Sequence, residues 1–159
     1  MPKISAGILL YRFISSAPEV LLFHPGGPYW AKKDMGVWSI AKGEAGENED
    51  LLACAIRELE EESGIRVNGD LIELRPVKQK NNKIVHAWAL GQDFDPSGLK
   101  SNLFEMEWPP SSGKMQRFPE MDRAAWFGFA EAKEKILSGQ QPLLDELENR
   151  IKQSLRSGI

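Results

Sequence analysis

Residues 43–65 constrain the fold of this chain more than any other segment. The segment begins with a polar, glycine-bearing stretch, which predicts a loop. From about Asp50 onward the apolar residues recur at helical spacing, which predicts an amphipathic helix. Gly64 marks the expected end of this helix, because glycine adopts the left-handed conformation without a Cβ clash.

Three glutamates lie on one side of the predicted helix. Glu58, Glu61 and Glu62 fall within an arc of roughly 100° when the helix is drawn at about 3.6 residues per turn. Like charges at this spacing repel one another, and Arg57 offsets only part of the repulsion. Such a run is either a solvated acidic face or a site for hard divalent cations, which prefer carboxylate oxygens.

The spacing of the whole segment resembles the signature of the Nudix hydrolases. The matching positions are Gly43, Glu49, Arg57, Glu58, Leu59, Glu61, Glu62, Gly64 and Ile65. A match at this many fixed positions is far more specific than a lone glycine motif. The resemblance implies an α/β protein with the Nudix-type α/β/α sandwich, a mixed central sheet and the family's loop–helix–loop.

The resemblance also implies a metal-dependent enzyme that cleaves a nucleoside diphosphate linked to another moiety. The expected cofactor is Mg²⁺ or Mn²⁺, held by Glu58, Glu61, Glu62 and the backbone carbonyl of Gly43. Glu58, Glu61 and Arg57 are therefore the expected catalytic residues of the segment. Arg57, together with Glu49, would orient the metal ligands from behind.

Relatives of this kind differ in their general base. In some of them the first glutamate of the Arg-Glu pair accepts the proton, which would be Glu58 here, and in others a downstream glutamate does. Glu120 is the best downstream candidate, because it precedes Trp126 in a segment that resembles the corresponding family segment. Glu105 and Glu107 are weaker alternatives.

The expected substrate follows from the residues around the segment. Trp38-Ser39, Lys42-Gly43-Glu44 and residues 118–127 resemble the asymmetric diadenosine tetraphosphate hydrolases, which release ATP and AMP. The alternatives within this class are a nucleoside triphosphate pyrophosphohydrolase and an RNA 5′-end pyrophosphohydrolase. The alternative of another class is a non-catalytic Nudix domain that senses a nucleotide, although such proteins commonly lose glutamates that this chain keeps.

Lysine and aromatic side chains outside the segment are candidate substrate contacts. Lys42 and the loop residues Tyr29 and Trp30 are expected to bind the substrate, and Trp108 is a further candidate for stacking a base. The aromatic residues of the loop are equally compatible with a packing role, and tryptophans such as Trp108 more often have one. The lysines within residues 78–83 would steer phosphate or form ordinary solvated surface.

The rest of the chain predicts one domain, residues 1–159, of interleaved strands and helices. Strands are expected at residues 4–13, 19–24, 37–40 and 84–90, with one or two more within 66–79 and strand edges at 116–120 and 125–129. Residues 91–113 are expected to form a loop-rich insert. Helices are expected at residues 131–137 and 143–155.

Composition limits the expected partners and location. The formal net charge of −3 argues against a broad footprint for extended nucleic acid or a membrane, so a small nucleotide-type substrate is expected. Cys54 is the single cysteine, which excludes an internal disulfide and fits a reducing compartment. Without an apolar run long enough to span a membrane, a cytoplasmic protein is expected. A homodimer is left open.

Overall fold

The computed structural model describes residues 2–156, which form nine β-strands and three α-helices. The strands are β1 (Lys3–Ile14), β2 (Ala17–Pro25), β3 (Ala41–Glu44), β4 (Leu71–Glu73), β5 (Val77–Gln79), β6 (Lys83–Gly91), β7 (Leu103–Glu107), β8 (Met115–Pro119) and β9 (Met121–Gly128). The helices are α1 (Leu51–Ser63), α2 (Phe129–Lys135) and α3 (Gln141–Arg156).

The central sheet is mixed, and β1 lies in its middle. The strand order is β4-β6-β1-β2-β9, with β3 also paired to β1 and β5 also paired to β6. The β1–β6 pair is parallel, whereas β1 pairs antiparallel with β2 and with β3. The parallel pair is reached through the crossover that contains α1, as parallel strands require.

Side chains of β1 enter two separate cores because successive residues of a strand point to opposite faces. Ile8 and Leu10 pack in the core that also holds Leu59 of α1. Leu9 packs on the other face, in the core that holds Leu147 of α3. Because helices cover both faces, the middle of β1 is apolar throughout rather than alternating.

Two tight turns fix the registers of the neighbouring strands. Ser15 and Ser16 between β1 and β2 both have positive φ, and so do Asn81 and Asn82 between β5 and β6. Consecutive positive φ values are typical of the type I′ turns that match the twist of paired strands. The hairpin turn predicted at Asn81-Asn82 is therefore confirmed.

The strand predicted at residues 37–40 is wrong. Trp38 and Ser39 form only isolated bridges, and the paired strand begins at Ala41. Trp38 is a large aromatic residue, as strand residues often are. It is buried by ring contacts with His24 and Phe127 and not by pairing within the sheet. As a result, Gly43 lies in a strand and not in the predicted loop, which starts after Glu44.

The prediction of a loop-rich insert at residues 91–113 is also wrong in part. Its second half contains β7, which pairs with β8 in a separate two-stranded hairpin. Polar and apolar residues alternate in β7, but the pattern is short and its partner lies beyond Gly113. The helix predicted at residues 131–137 begins two residues earlier, because Gly128 has the extended backbone of an N-cap.

Within residues 2–156, no helix is both long enough and apolar enough to cross a membrane. The longest one, α3, buries Leu143, Leu144, Leu147 and Ile151 and keeps polar residues on its other face.

The contact between β1 and β3 predicts a specific steric sensitivity at Gly7. A Cβ atom at Gly7 would lie 2.5 Å from the carbonyl oxygen of Ala41 and 2.7 Å from the Cβ atom of Lys42. We expect Gly7→Ala to lower the free energy of unfolding by about 1–3 kcal/mol, as overpacking does. Urea denaturation followed by circular dichroism measures the change.

The matched control for this variant is Gly128→Ala. A Cβ atom at Gly128 would meet no atom within 4 Å, and its φ of −64° suits alanine. Because alanine is a poorer N-cap than glycine, the free energy of unfolding of this control is expected to fall by no more than about 0.5–1 kcal/mol. Equal denaturation midpoints for the two variants would contradict the proposed clash.

Candidate active site

Helix α1 is fixed at both ends by local interactions. The side chain of Asp50 caps its N-terminus by accepting a hydrogen bond from the Ala53 N–H at 2.9 Å. Gly64 ends the helix with a φ of 81°, and its N–H donates to the carbonyl oxygen of Glu60. The predicted boundaries of the helix are therefore confirmed, and the glutamate-bearing face of α1 has a defined orientation.

Arg57 holds three carboxylates of the site in place. Its Nε and Nη2 atoms donate to the two carboxylate oxygens of Glu49 at 2.9 and 3.1 Å. Its Nη1 atom donates to Glu58 at 3.1 Å and to Glu61 at 3.0 Å. The forked pairing with Glu49 is the strong geometry for an arginine and a carboxylate, so Glu49 fixes the plane of the guanidinium group.

The same contacts set the protonation of this network. Hydrogen bonds from Arg57 and from the N–H of Gly46 lower the pKa of Glu49 to about 2. The bond to Glu49 is the main cause that raises the pKa of Arg57, with a further contribution from Glu61. Glu49 and Arg57 therefore stay charged throughout the physiological pH range, as a fixed electrostatic support must.

Gly43 and Glu58 are in close contact because β3 packs against α1. A Cβ atom at Gly43 would lie 2.0 Å from the carboxylate carbon of Glu58. Only glycine therefore leaves room for the Glu58 carboxylate beside the backbone of β3. Burial raises the pKa of Glu58, although the charge of Arg57 opposes the rise.

Glu62 is the most strongly perturbed carboxylate of the site. Burial raises its pKa to about 8, and the charges of Glu58 and Glu120 add to the rise. The charge of Lys42 and a hydrogen bond from the Lys42 N–H act in the opposite direction. Glu62 thus faces two other carboxylates in a poorly solvated position, where a cation would stabilise its charged form.

Lys42 supplies positive charge next to this carboxylate cluster. Burial lowers the pKa of Lys42, and the charge of Lys83 lowers it further. Glu62 and Glu58 raise it in turn. The structure therefore brings Lys83 of the predicted lysine cluster within electrostatic reach of Lys42, at the start of β6.

Glu120 stands on the other side of the cluster, in the short link between β8 and β9. Its main chain is anchored twice: its N–H donates to Asn102 at 2.7 Å, and its carbonyl oxygen accepts from the Gly26 N–H at 2.9 Å. Its side chain is exposed, and its charge reaches Glu62. Among the candidates for a downstream general base, Glu120 is the carboxylate whose charge affects the cluster.

The two weaker candidates are engaged in their own hairpin. Glu105 pairs with Arg117 across β7 and β8 at 3.1 Å. Glu107 accepts a hydrogen bond from the Ser111 N–H at 2.7 Å. Both carboxylates have structural partners, which makes each a poorer candidate for proton transfer.

The loop that carries Tyr29 and Trp30 starts close to Glu120, because the Gly26 N–H donates a hydrogen bond to the Glu120 carbonyl oxygen. Tyr29 and Trp30 are exposed, at 59% and 41% of their full surface. Tyr29 packs edge-on against Trp108, with 5.3 Å between the ring centroids. The ammonium group of Lys33 lies 5.3 Å from the centroid of the Trp30 ring. The loop thus presents aromatic faces and positive charge together.

The three predicted metal-binding glutamates lie near one another, but within the described residues their side chains are not arranged to hold a metal ion as they stand. The charge of Glu58 reaches Glu62 and the charge of Glu61 reaches Glu58, but Glu61 is paired with Arg57 and is 46% exposed. Accordingly, no three acidic, histidine or cysteine side chains within residues 2–156 stand in a metal-binding arrangement. Sequence reasoning placed all three glutamates on one arc but could not show that Arg57 binds two of them.

Sequence reasoning also missed a buried support under the aromatic loop. His24 is fully buried, and its Nδ1 and Nε2 atoms lie 2.8 Å from Asp122 and 2.6 Å from the Lys33 carbonyl oxygen. These two bonds tie the end of the loop to β2 and β9. A histidine at the end of a buried strand was the available signal, but its partners are distant in the sequence.

Comparison with known proteins identifies the family. The model of the NUDIX domain matches residues 1–147. An Ap4A hydrolase from C. elegans, solved as a binary complex, aligns with a TM-score of 0.66 and 21% identity over 93% of this chain and 98% of that chain. A MutT/nudix family protein from Listeria innocua aligns with a TM-score of 0.63 and 18% identity over 98% of each chain.

A third structure extends the range of relatives. The NUDIX domain of Shewanella oneidensis NrtR, complexed with ADP ribose, aligns with a TM-score of 0.63 and 13% identity, covering 95% of this chain and 89% of that chain. No curated protein sequence matches the chain significantly. At these identities the structural likeness shows the fold alone, and it confirms the α/β fold with its mixed sheet. Because the family model spans most of the chain, this protein is a member of the Nudix hydrolase family.

Proposed function

We propose that this protein hydrolyses a pyrophosphate bond in a nucleoside diphosphate linked to a second moiety. The observation that carries the proposal is the position of Glu62, a poorly solvated carboxylate beside Glu58 and Glu120. Burying like charges together costs free energy, and a site for a cation is a physical reason to keep them. Lys42 adds the local positive charge that a phosphate group needs.

A hard divalent ion, Mg²⁺ or Mn²⁺, fits the oxygen donors at this position. Glu58, Glu62 and the Gly43 carbonyl would hold it, joined by Glu61 after release from Arg57. The close approach that Gly43 permits to Glu58 supports this set. When bound, such an ion lowers the pKa of a coordinated water and neutralises charge on phosphate oxygens. Arg57 keeps the carboxylates oriented through its pairing with Glu49.

Glu120 is our candidate for the general base, with Glu58 as the alternative. Glu120 is exposed and its charge reaches Glu62, which suits a group that takes a proton from an attacking water. Glu58 is held by Arg57 and lies against Gly43, which suits a ligand better than a mobile base.

The proposed substrate is a dinucleoside polyphosphate such as diadenosine tetraphosphate. Tyr29, Trp30 and Trp108 offer stacking surfaces near the anchor of Glu120, and Lys33 adds a positive charge beside Trp30. The likeness to the C. elegans Ap4A hydrolase supports this choice. Water would attack one phosphorus atom and a P–O bond would break, so that the products are ATP and AMP.

A nucleotide-sensing role is the second candidate, from another class. The NUDIX domain of NrtR was solved with ADP ribose bound, and it shares this fold. The Arg57–Glu49 ion pair and the raised pKa of Glu62 favour catalysis over sensing, because nucleotide binding alone does not require crowded carboxylates. A nucleoside triphosphate or an RNA 5′ end remains the alternative substrate for the enzyme.

Replacing the acidic side chains is expected to stop turnover. Glu61→Gln and Glu62→Gln should each lower kcat by at least ~100-fold at saturating Mg²⁺, on the scale of losing a metal ligand. The matched control is Glu60→Gln, because Glu60 is an exposed residue of the same helix that pairs with Arg66. Its kcat should stay within about 2-fold of the parent. Near-normal turnover in both site variants would refute the assignment.

The raised pKa of Glu62 predicts a pH dependence of stability without metal. The folded protein binds this proton more tightly than the unfolded chain, whose glutamate has a pKa of 4.5. The stabilisation is complete below about pH 4.5 and is lost as the pH rises through about 8. In EDTA, we therefore expect the parent to lose more free energy of unfolding than Glu62→Gln does between pH 5.5 and 8.5.

Urea denaturation of the parent and Glu62→Gln at several pH values measures this difference, with Glu60→Gln as the control. The difference between parent and Glu62→Gln should grow as the pH rises, whereas the difference between parent and Glu60→Gln should stay nearly constant. A pH-independent difference for Glu62→Gln would mean that this carboxylate is well solvated in the folded protein.

The substrate proposal predicts a preference between two nucleotides. Diadenosine tetraphosphate should exceed ATP in kcat/KM by at least ~10-fold, because a second base adds remote binding energy that orients the reacting phosphate. Trp30→Ala should lower kcat/KM more for the dinucleotide than for ATP, and Trp30→Phe should restore most of the loss. Products are resolved by chromatography, and ¹⁸O-labelled water shows which phosphorus is attacked. Equal efficiencies would remove the substrate proposal and leave the pyrophosphatase proposal intact.

A further inference from the structure

An apolar groove lies on the α3 side of the sheet, away from the α1 layer that carries the carboxylate cluster. Its volume is about 450 Å³. The apolar side chains that line it are Tyr11, Phe13, Ile72, Leu147, Ile151 and Leu155. Phe13 and Leu155 are 48% and 63% exposed, whereas Leu147 is fully buried. The groove therefore has an apolar floor that belongs to the core and two exposed apolar side chains at its rim.

A second, polar cavity of about 430 Å³ adjoins this groove, and Arg150 lines both of them. Arg75, Lys152 and Arg156 also line the polar cavity, and the carboxylate on its wall is Glu146. Even with Lys152 set against Glu148, one carboxylate does not balance the three arginines. The polar cavity therefore has a positive excess at the end of an apolar groove.

Glu146 organises the arginines. Its side chain is only 10% exposed and accepts a hydrogen bond from the backbone N–H of Arg75 at 2.8 Å, and the Arg75 guanidinium group, 88% exposed, lies 3.9 Å from it. It also pairs with Arg150 at 2.9 Å, one helical turn along α3. Lys152 is engaged elsewhere, 4.0 Å from Glu148. Arg150 and Arg75 thus both lie beside Glu146 with N–H groups to spare, since a guanidinium group carries five of them.

We propose that this composite site binds a single-chain amphipathic phosphate. The alkyl chain lies in the apolar groove between Phe13, Ile151 and Leu155. The phosphate head is bound by Arg150 and Arg75, whose planar guanidinium groups match phosphate oxygens in pairs. A dianionic phosphate balances the positive excess better than a single carboxylate does.

Size and composition favour a small ligand over a protein partner. The groove volume falls in the range of small-molecule sites, roughly 300–1,000 Å³. A stable protein interface buries about 800 Å² on each partner. Two exposed apolar side chains, Phe13 and Leu155, offer far less apolar surface than the centre of such an interface needs.

The test is calorimetric binding of decyl phosphate to the 159-residue chain in EDTA, below the micellar concentration of the ligand. Arg150→Gln should raise the Kd by at least ~10-fold through the lost charged hydrogen bonds. Phe13→Thr should raise it by about 5-fold through lost apolar contact. Leu155→Ser, at an exposed position near the end of α3, tests the apolar groove again if Phe13→Thr fails to fold.

Matched controls lie outside the site. Arg66→Gln removes an exposed arginine that follows α1, and Ile14→Thr alters the neighbour of Phe13 that points to the opposite face of β1. Both should bind decyl phosphate within about 2-fold of the parent. Amide chemical shifts should change along α3 around Arg150 and not along α1.

Several outcomes would overturn the proposal. If inorganic phosphate bound as tightly as decyl phosphate, the apolar groove would contribute nothing to binding. If decanol bound as tightly as decyl phosphate, the arginines would contribute nothing. Binding only to phosphatidic acid vesicles would indicate a membrane surface instead. A dimer that dissociates in Leu155→Ser would indicate that a second copy covers the groove. Unchanged affinity in Arg150→Gln and in the folded groove variant would exclude this site.

Discussion

The burial of β1 on both faces is the constraint on which the rest of this structure depends. β1 pairs with β2, β3 and β6, so it sets the register of the sheet on both sides. Its alternating side chains divide the interior into two cores, one under α1 and one under α3. The carboxylate cluster and the proposed amphipathic site therefore lie on opposite faces of the sheet, on the two sides of β1.

The contact between β3 and α1 determines the environment of the carboxylate cluster. Gly7 lets β3 approach β1, and Gly43 lets Glu58 approach β3. That close packing removes water from the carboxylates and raises the pKa of Glu62. Arg57 prevents the concentrated negative charge from opening the site, because it binds Glu49, Glu58 and Glu61 at once. The site is thus a product of close packing as much as of residue type.

The features that could be predicted from the sequence are those that local interactions determine. Helix α1 was predictable because its caps, Asp50 and Gly64, are neighbours of the helix in the chain. The strand expected at residues 37–40 failed because Trp38 is buried by ring contacts from distant strands. The raised pKa of Glu62 was not predictable either. It depends on how β3 packs on α1 and on the position of Glu120, which is distant in the sequence. The catalytic roles of these residues stay predictions.

The main chain of Glu120 is held by two hydrogen bonds, from its N–H to the Asn102 carbonyl oxygen and from the Gly26 N–H to its own carbonyl oxygen. Hydrogen bonds of this kind do not depend on the side chains of the residues that make them. Side chains in the segments on either side, the aromatic loop and the β7–β8 hairpin, can therefore be replaced while the two bonds still position the Glu120 backbone. Gly26 is the exception, because a Cβ atom there would lie 1.8 Å from the Pro119 carbonyl oxygen. Substitutions in these segments can accordingly change the surface around Glu120 while its backbone stays in place.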